Sequence, residues 1–199
     1  MQDKRKLAIE VDNVQKIYKL YDKPSDRLKE AFGFGKKTKH KLHYALKGVS
    51  MKIYQGETVG IIGMGVSGGM IADAMNFMGA DLSYYSRTRK TDREAQGMTY
   101  RPLNELLKYS EVVFACLNKN AILLHEEEFG HLGTGKILFN TSIGPAFDVP
   151  ALKAWLDREG NYFVCDTQGA LGDPSGELIQ HPHVFCARVS AGRTRQAFG

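Results

Sequence analysis

From residue 58 onward, apolar residues come in short unbroken runs separated by polar, glycine-containing stretches. Thr58-Val59-Gly60-Ile61-Ile62 predicts a strand. Val66 to Met78 predicts a helix, with Ile71, Ala74, Met75 and Met78 at three- to four-residue spacing. Further strands are expected at Leu82 to Tyr85, Val112 to Leu117, Ile137 to Asn140, Tyr162 to Cys165 and Val184 to Ala187, and helices at Leu103 to Tyr109 and Val149 to Asp157. Strands that are apolar throughout, alternating with helices, belong to a parallel sheet covered on both faces. The fold class that follows is α/β, a Rossmann-type doubly wound parallel sheet over residues 56–199.

Residues 1–55 follow a different pattern and are expected to form an N-terminal β-strand/loop appendage. Leu7 to Val14 alternates as a strand and continues through Ile17 to Tyr21. Pro24 to Phe32 reads as a short helix with Gly33 near its stop. His43 to Ile53 is another strand, ending at the turn Gln55-Gly56, and the two strands are expected to pair with each other. Charge divides at the same place. Residues 1–54 hold 14 Lys/Arg and 6 Asp/Glu (+8), whereas the remainder holds 13 and 16 (−3). The basic run Gly35 to Lys41 lacks interleaved aromatics, so a solvated loop is expected rather than a nucleic-acid site.

Composition excludes several classes. At 43% hydrophobic and 25% charged residues the chain is of globular type. No apolar run approaches the ~20 residues needed to span a bilayer. The charged start Met1-Gln2-Asp3-Lys4-Arg5-Lys6 has no apolar stretch behind it, so no signal peptide is expected. Cys116, Cys165 and Cys186 have no metal-ligand spacing and lie in apolar stretches, as buried reduced thiols of a cytoplasmic protein would.

The chemistry-bearing motif is Gly63-x-Gly65-x-x-Gly68, which follows a predicted strand and opens a predicted helix. The first glycine permits the tight turn, the second admits a pyrophosphate close to the backbone, and the third lets helix and strand pack closely. Val66 and Ser67 complete a loop whose amides meet the pyrophosphate at the helix N-terminus. An NAD site carries an acidic residue about 20 positions on, for the ribose 2′-hydroxyl. Here that region is Tyr85-Ser86-Arg87-Thr88-Arg89-Lys90. Ser86, Arg87 and Thr88, with two more cations behind them, suit a 2′-phosphate, so NADP is expected over NAD.

On Glu57 to Gly65, Tyr84-Tyr85-Ser86-Arg87, Pro102 to Leu107, Ser110 to Val113 and Phe139-Asn140-Thr141-Ser142-Ile143-Gly144-Pro145, the chain from Gly56 onward resembles the cofactor domain of the D-isomer-specific 2-hydroxyacid dehydrogenases. The resemblance implies that Asp166 receives the nicotinamide carboxamide and that Leu117, Asn118 and Ser142 line the cofactor. That family works with an arginine, a glutamate and a histidine. The resemblance places them at Ile143, near Leu171 and at Ala187-Arg188, where none of the three side chains is present. His181 and His183 precede the last strand and are expected in a surface turn. The family also has a second domain that closes over the nicotinamide and a long helix following the position of Gly199, so an open substrate side is expected here.

The first ~62 residues resemble something else. Ile9 to Tyr21, Asp26 to Ala31, Ala45 to Ser50 and Gly56 to Gly63 look like the start of an ATP-binding-cassette subunit of the polysaccharide or teichoic acid export type. In that family an aromatic near Tyr18 or Tyr21 stacks on adenine. The Walker loop needs Gly-Lys-Ser/Thr, but Met64-Gly65-Val66-Ser67-Gly68-Gly69-Met70 follows Gly63, without lysine, so ATP hydrolysis is not expected. The resemblances overlap at Gly56 to Gly63, which suggests a fusion or chimera crossing over in that strand. Three functions follow: an NADP-dependent oxidoreductase of hydroxyacid dehydrogenase lineage acting on an unidentified small carbonyl or hydroxy substrate, a non-catalytic dinucleotide-binding module, and, least favoured, a nucleotide-binding fragment of a transporter. A homodimer is among the expected assemblies.

Overall fold

The computed structural model describes residues 6–21, 25, 40–54, 56–119 and 121–188. Its chain contacts divide it into two compact units, one formed by residues 7–53 and the other by residues 54–199 with residues 1–6. In the smaller unit, β1 (Leu7–Tyr21) and β2 (His40–Tyr54) form a two-stranded sheet. β1 has its expected bounds, whereas β2 runs beyond the expected His43 and Ile53 at both ends. The helix expected over Pro24 to Phe32 and most of the basic loop fall outside the described residues, Ser25 excepted.

The larger unit holds β3 (Thr58–Ile62), β4 (Asp81–Tyr85), β5 (Thr99–Tyr100), β6 (Val112–Ala115), β7 (Ile137–Asn140), β8 (Tyr162–Cys165) and β9 (Val184–Cys186), all parallel, in the order β5-β4-β3-β6-β7-β8-β9. Neighbouring side chains on one strand supply opposite faces. Ile61 packs with Val59, Ala72, Leu82 and Tyr84 on one side of the sheet, and Ile62 with Leu106, Val113, Leu138 and Phe163 on the other. Burial on both faces explains why these strands carry no polar alternation.

Helix α1 (Val66–Phe77) buries Gly68, Gly69 and Ala72, with Ile71 and Met75 beside them. Ala74 and Met78, part of the stripe read from sequence, are exposed instead. The helix lies so close to the sheet that its contact face is made of its smallest residues. The remaining helices are α2 (Thr91–Glu94), α3 (Leu103–Tyr109), α4 (Glu126–Leu132), α5 (Val149–Leu156), α6 (Gln168–Leu171) and a 3-10 turn at Leu178–Gln180. Among the described residues, no helix is long and apolar enough to cross a membrane.

Of the thiols, Cys165 is buried, while Cys116 and Cys186 are only half-buried; all three are free. The two late histidines lie in a turn before β9, as expected, but are half-buried. His181 lies 3.4 Å from Asp157, its Nδ1 accepts the His183 N–H at 3.2 Å, and the His183 ring packs on Tyr162.

Helices α4 and α5 are joined at their N-termini. His125, the residue before α4, places Nδ1 2.5 Å from Oδ2 of Asp148, the residue before α5. Both are largely exposed, and the carboxylate raises the His125 pKa above its ordinary value of 6.5. A raised folded-state pKa contributes stability that is complete below about pH 6.5 and is lost as pH rises through the folded value. The melting-temperature gap between wild type and His125→Gln is therefore expected to be widest near pH 6 and to close toward pH 8.5. A gap that is flat across that range would refute the ion pair.

Candidate functional site

Five parallel strands end on one edge of the sheet, and the residue after each enters one region: Gly63 after β3, Ser86 after β4, Cys116 after β6, Thr141 after β7 and Asp166 after β8. The chain runs outward from β3 to β4 and β5, then returns to the other side of β3 with β6. At such a switch point the loops diverge and leave a crevice, the usual ligand position in open α/β sheets. A cleft of about 480 Å3 lies there, within the range of small-molecule sites.

Seven of the twelve cofactor residues named from sequence line this cleft: Gly63, Gly65, Ser86, Arg87, Thr88, Leu117 and Asn118. Met64, Tyr85, Lys90, Cys116, Ala121 and Leu123 line it too. Gly63 has φ +97°, and a side chain there would meet the Cys116 carbonyl oxygen at 2.5 Å. Its N–H donates to the Tyr85 carbonyl at 2.8 Å, which ties the loop to β4. A methyl group on Gly65 would meet nothing within 4 Å, because that position faces the open cleft.

Val66, Ser67 and Gly68 form the first turn of α1 and lie outside the cleft lining. Gly65 caps that helix without a side-chain hydrogen bond, and no acidic residue occupies its first turn. The N-terminal amides and the helix dipole therefore remain suited to an anion.

Ser142 is buried rather than lining the cleft. Its Oγ accepts the Leu117 N–H at 2.8 Å, and its own N–H donates to Asn140 Oδ1 at 3.1 Å. It fixes the Leu117 backbone where β6 has ended, two residues earlier than sequence indicated. Asp166 is half-buried beside Cys165 and is not among the cleft residues.

At the β4 end, Ser86 Oγ donates to the Thr88 carbonyl at 2.6 Å, and Arg87 is exposed. Arg89, one of the two further cations counted from sequence, is engaged elsewhere: it pairs with Glu94, with Nε 3.0 Å from Oε1, and lies over the Tyr100 ring. The Arg89 guanidinium, seconded by the Tyr84 hydroxyl, holds the Glu94 carboxyl below its ordinary range. Sequence missed this pair because Glu94 belongs to a one-turn helix that no hydrophobic period announces.

At the three positions that the sequence resemblance assigns to reacting residues, Ile143 is 73% exposed, Leu171 is in the core, and Arg188 has φ 57°. Residues 189–191 fall outside the described residues. Cys116 is the thiol that lines the cleft. Burial pushes its pKa up, and Thr141 Oγ1 lies 3.3 Å from its sulfur, so it remains a thiol at neutral pH. Among the described residues, no group of three His, Cys, Asp or Glu side chains is placed to hold a metal.

Residues 29–187 match the family model of the D-isomer specific 2-hydroxyacid dehydrogenase NAD binding domain. The chain is 36% identical to glyoxylate reductase of Pyrococcus furiosus over 101 residues, covering 49% of this chain and 30% of that protein. It is 35% identical to 4-methyl-2-oxopentanoate reductase A of Aspergillus oryzae over 106 residues, covering 52% and 32%. It thus spans about a third of the length of these curated relatives. The teichoic acids export ATP-binding protein TagH of Bacillus cereus is 48% identical over 61 residues, covering 31% of this chain and 11% of that one. Among solved structures, D-lactate dehydrogenase from Aquifex aeolicus, complexed with NAD and lactic acid, superposes with TM-score 0.64 at 20% identity, covering 87% of this chain and 55% of that one. The TT0316 protein from Thermus thermophilus gives 0.57 at 28%, covering 66% and 42%.

Proposed function

The chain belongs to the D-isomer-specific 2-hydroxyacid dehydrogenase family through its NAD-binding domain, and from that premise we propose that it is the NADP(H)-binding domain of a divergent oxidoreductase of that lineage. The observation that carries the cofactor choice is the end of β4. No carboxylate stands there to hold a ribose 2′-hydroxyl. Arg87, exposed at the lip of the cleft, has no ion-pair partner among the described residues. A guanidinium with hydroxyls on either side is suited to a phosphate monoester. Bound there, the dinucleotide would supply hydride chemistry, and the protein would supply its orientation.

The acid–base work of the family is a separate matter. Isoleucine and leucine side chains cannot donate a hydrogen bond, and arginine does not release its proton in a protein. With Ile143, Leu171 and Arg188 at the three positions, turnover of simple 2-hydroxyacids is expected to be negligible. The same observation favours a second reading, a dinucleotide-binding module without catalysis. We also propose 1–55 and 56–199 as the two domains, joined as a fusion that crosses over in β3, where cassette and dehydrogenase sequences agree. This reading is supported by two kinds of match in one chain, 61 residues to a teichoic acids export protein and residues 29–187 to the dehydrogenase domain model. Sequencing the genomic locus across codons 50–70 tests it: two separate reading frames there would end it.

Titration with NADPH, NADH and ATP, followed by nicotinamide fluorescence and melting temperature, tests the main reading. A ligand that binds only the folded chain raises its stability. NADPH is expected to bind more tightly than NADH, and ATP to leave the melting temperature unchanged. Arg87→Asp replaces an attractive charge with a repulsive one and should lower NADPH affinity about 100-fold while sparing NADH. If neither nicotinamide cofactor binds, the enzymatic reading falls with the cofactor.

A further inference from the structure

Four cations follow β4: Arg87, Arg89, Lys90 and Arg93. Two are neutralised within the fold. Arg89 pairs with Glu94, and Arg93 pairs with Asp73 of α1, lying against Gly69. Arg87 and Lys90 remain, and both line the cleft. Lys90 is also where the backbone leaves the loop and enters α2. One side chain fixes that point. Tyr84, fully buried in β4, accepts the Lys90 N–H at its hydroxyl oxygen at 2.7 Å and donates the hydroxyl proton to Glu94 Oε1 at 2.8 Å. A single phenol therefore ties Lys90 to the carboxylate that keeps Arg89 away from the cleft.

We propose that Lys90 is a specificity-determining residue for a nucleotide 2′-phosphate and that the Tyr84 hydroxyl is its positioning residue, acting through the Lys90 backbone. This rests on the NADP(H) reading above and adds to it a division of labour: Arg87 and Lys90 meet the phosphate, while Arg89 builds the loop that presents them. A lysine on an unbraced loop loses side-chain and backbone entropy when it binds. The Tyr84 bond removes part of that cost in advance, and only for a ligand that reaches Lys90. NADH, without the phosphate, draws nothing from the arrangement.

A double-mutant cycle tests this without changing the charge at Tyr84. Dissociation constants for NADPH and NADH are measured for the full chain, Tyr84→Phe, Lys90→Met and the double variant. Tyr84→Phe is expected to weaken NADPH about fivefold, the scale of one hydrogen bond, and to leave NADH within twofold. Lys90→Met is expected to weaken NADPH about tenfold and to flatten its salt dependence. The double variant should match Lys90→Met alone, because the hydroxyl acts through that residue. Equal losses for both cofactors in Tyr84→Phe would make the hydroxyl a purely structural group and overturn the proposal, as would fully additive losses in the double variant. Unchanged NADPH binding in Lys90→Met would overturn it while leaving Arg87 and the NADP(H) reading intact. A wild type that binds both cofactors equally would overturn both together. The NADH constant and the melting curve of each variant report whether it has folded.

Discussion

Gly68→Ala is expected to abolish dinucleotide binding and to destabilise the chain by about 3 kcal/mol or more. A Cβ at that position would sit 2.0 Å from the Gly63 carbonyl oxygen and 3.3 Å from an Ile61 methyl. The first contact is with backbone, so no rotamer change relieves it. Either α1 moves away from β3, opening the packing around Ala72 and Ile61, or the loop at Gly63 shifts and the cleft loses its floor. Both routes disturb the same anion site. Denaturant unfolding with NADPH titration on one preparation would separate them: lost binding at unchanged stability means the loop moved, whereas lost stability means the helix did. Unchanged stability and unchanged binding would show that the helix lies farther from the loop than the structure has it.

The second large effect is at Trp155. Its indole is fully buried in α5, packs on Phe129 of α4 with ring centroids 5.5 Å apart, and donates from Nε1 to the Gly133 carbonyl at 2.7 Å. Asn161 Nδ2 then donates to the Trp155 carbonyl at 2.8 Å. Trp155→Ala leaves a cavity and weakens the polar closure of Gly133, and losses of ~3–5 kcal/mol follow for such truncations. Trp155→Phe keeps most of the volume and removes the N–H, so it should cost ~1–2 kcal/mol. Chemical denaturation of the two variants would show whether volume or hydrogen bonding dominates. Equal losses would assign the effect to the hydrogen bond.

The sheet was readable from sequence because each of its longer strands is a compact apolar run buried on both faces. Ile137–Asn140 and Tyr162–Cys165 have the predicted bounds, and so does the helix Leu103–Tyr109. Elements that contribute little to the core were not readable. Helix α4 opens with Glu126-Glu127-Glu128, which reads as a polar loop until Phe129 and Leu132 are seen to be buried. Helix α2 buries none of its residues; its side chains instead make the ion pairs that brace the loop after β4. The glycine loop was found because its chemistry is written in adjacent residues. The Tyr84, Lys90 and Glu94 set was not, because two of its members act through a backbone N–H and a carboxylate whose direction only the fold supplies. Ser142 is a similar case: sequence likeness placed it on the cofactor, and the structure shows it holding the Leu117 backbone, which lines the cleft.

The sheet tapers at both sides. β5 has two residues and β9 three, while β3 at the centre has five. An exposed sheet edge is a template on which another chain can add a strand, and the risk grows with the length of unpaired backbone it offers. Among the described residues, neither margin offers enough ladder to seed a stable intermolecular strand. Short margins of this kind work against edge-to-edge aggregation, and substitutions that lengthen β5 or β9 would be expected to reduce solubility before they affect stability.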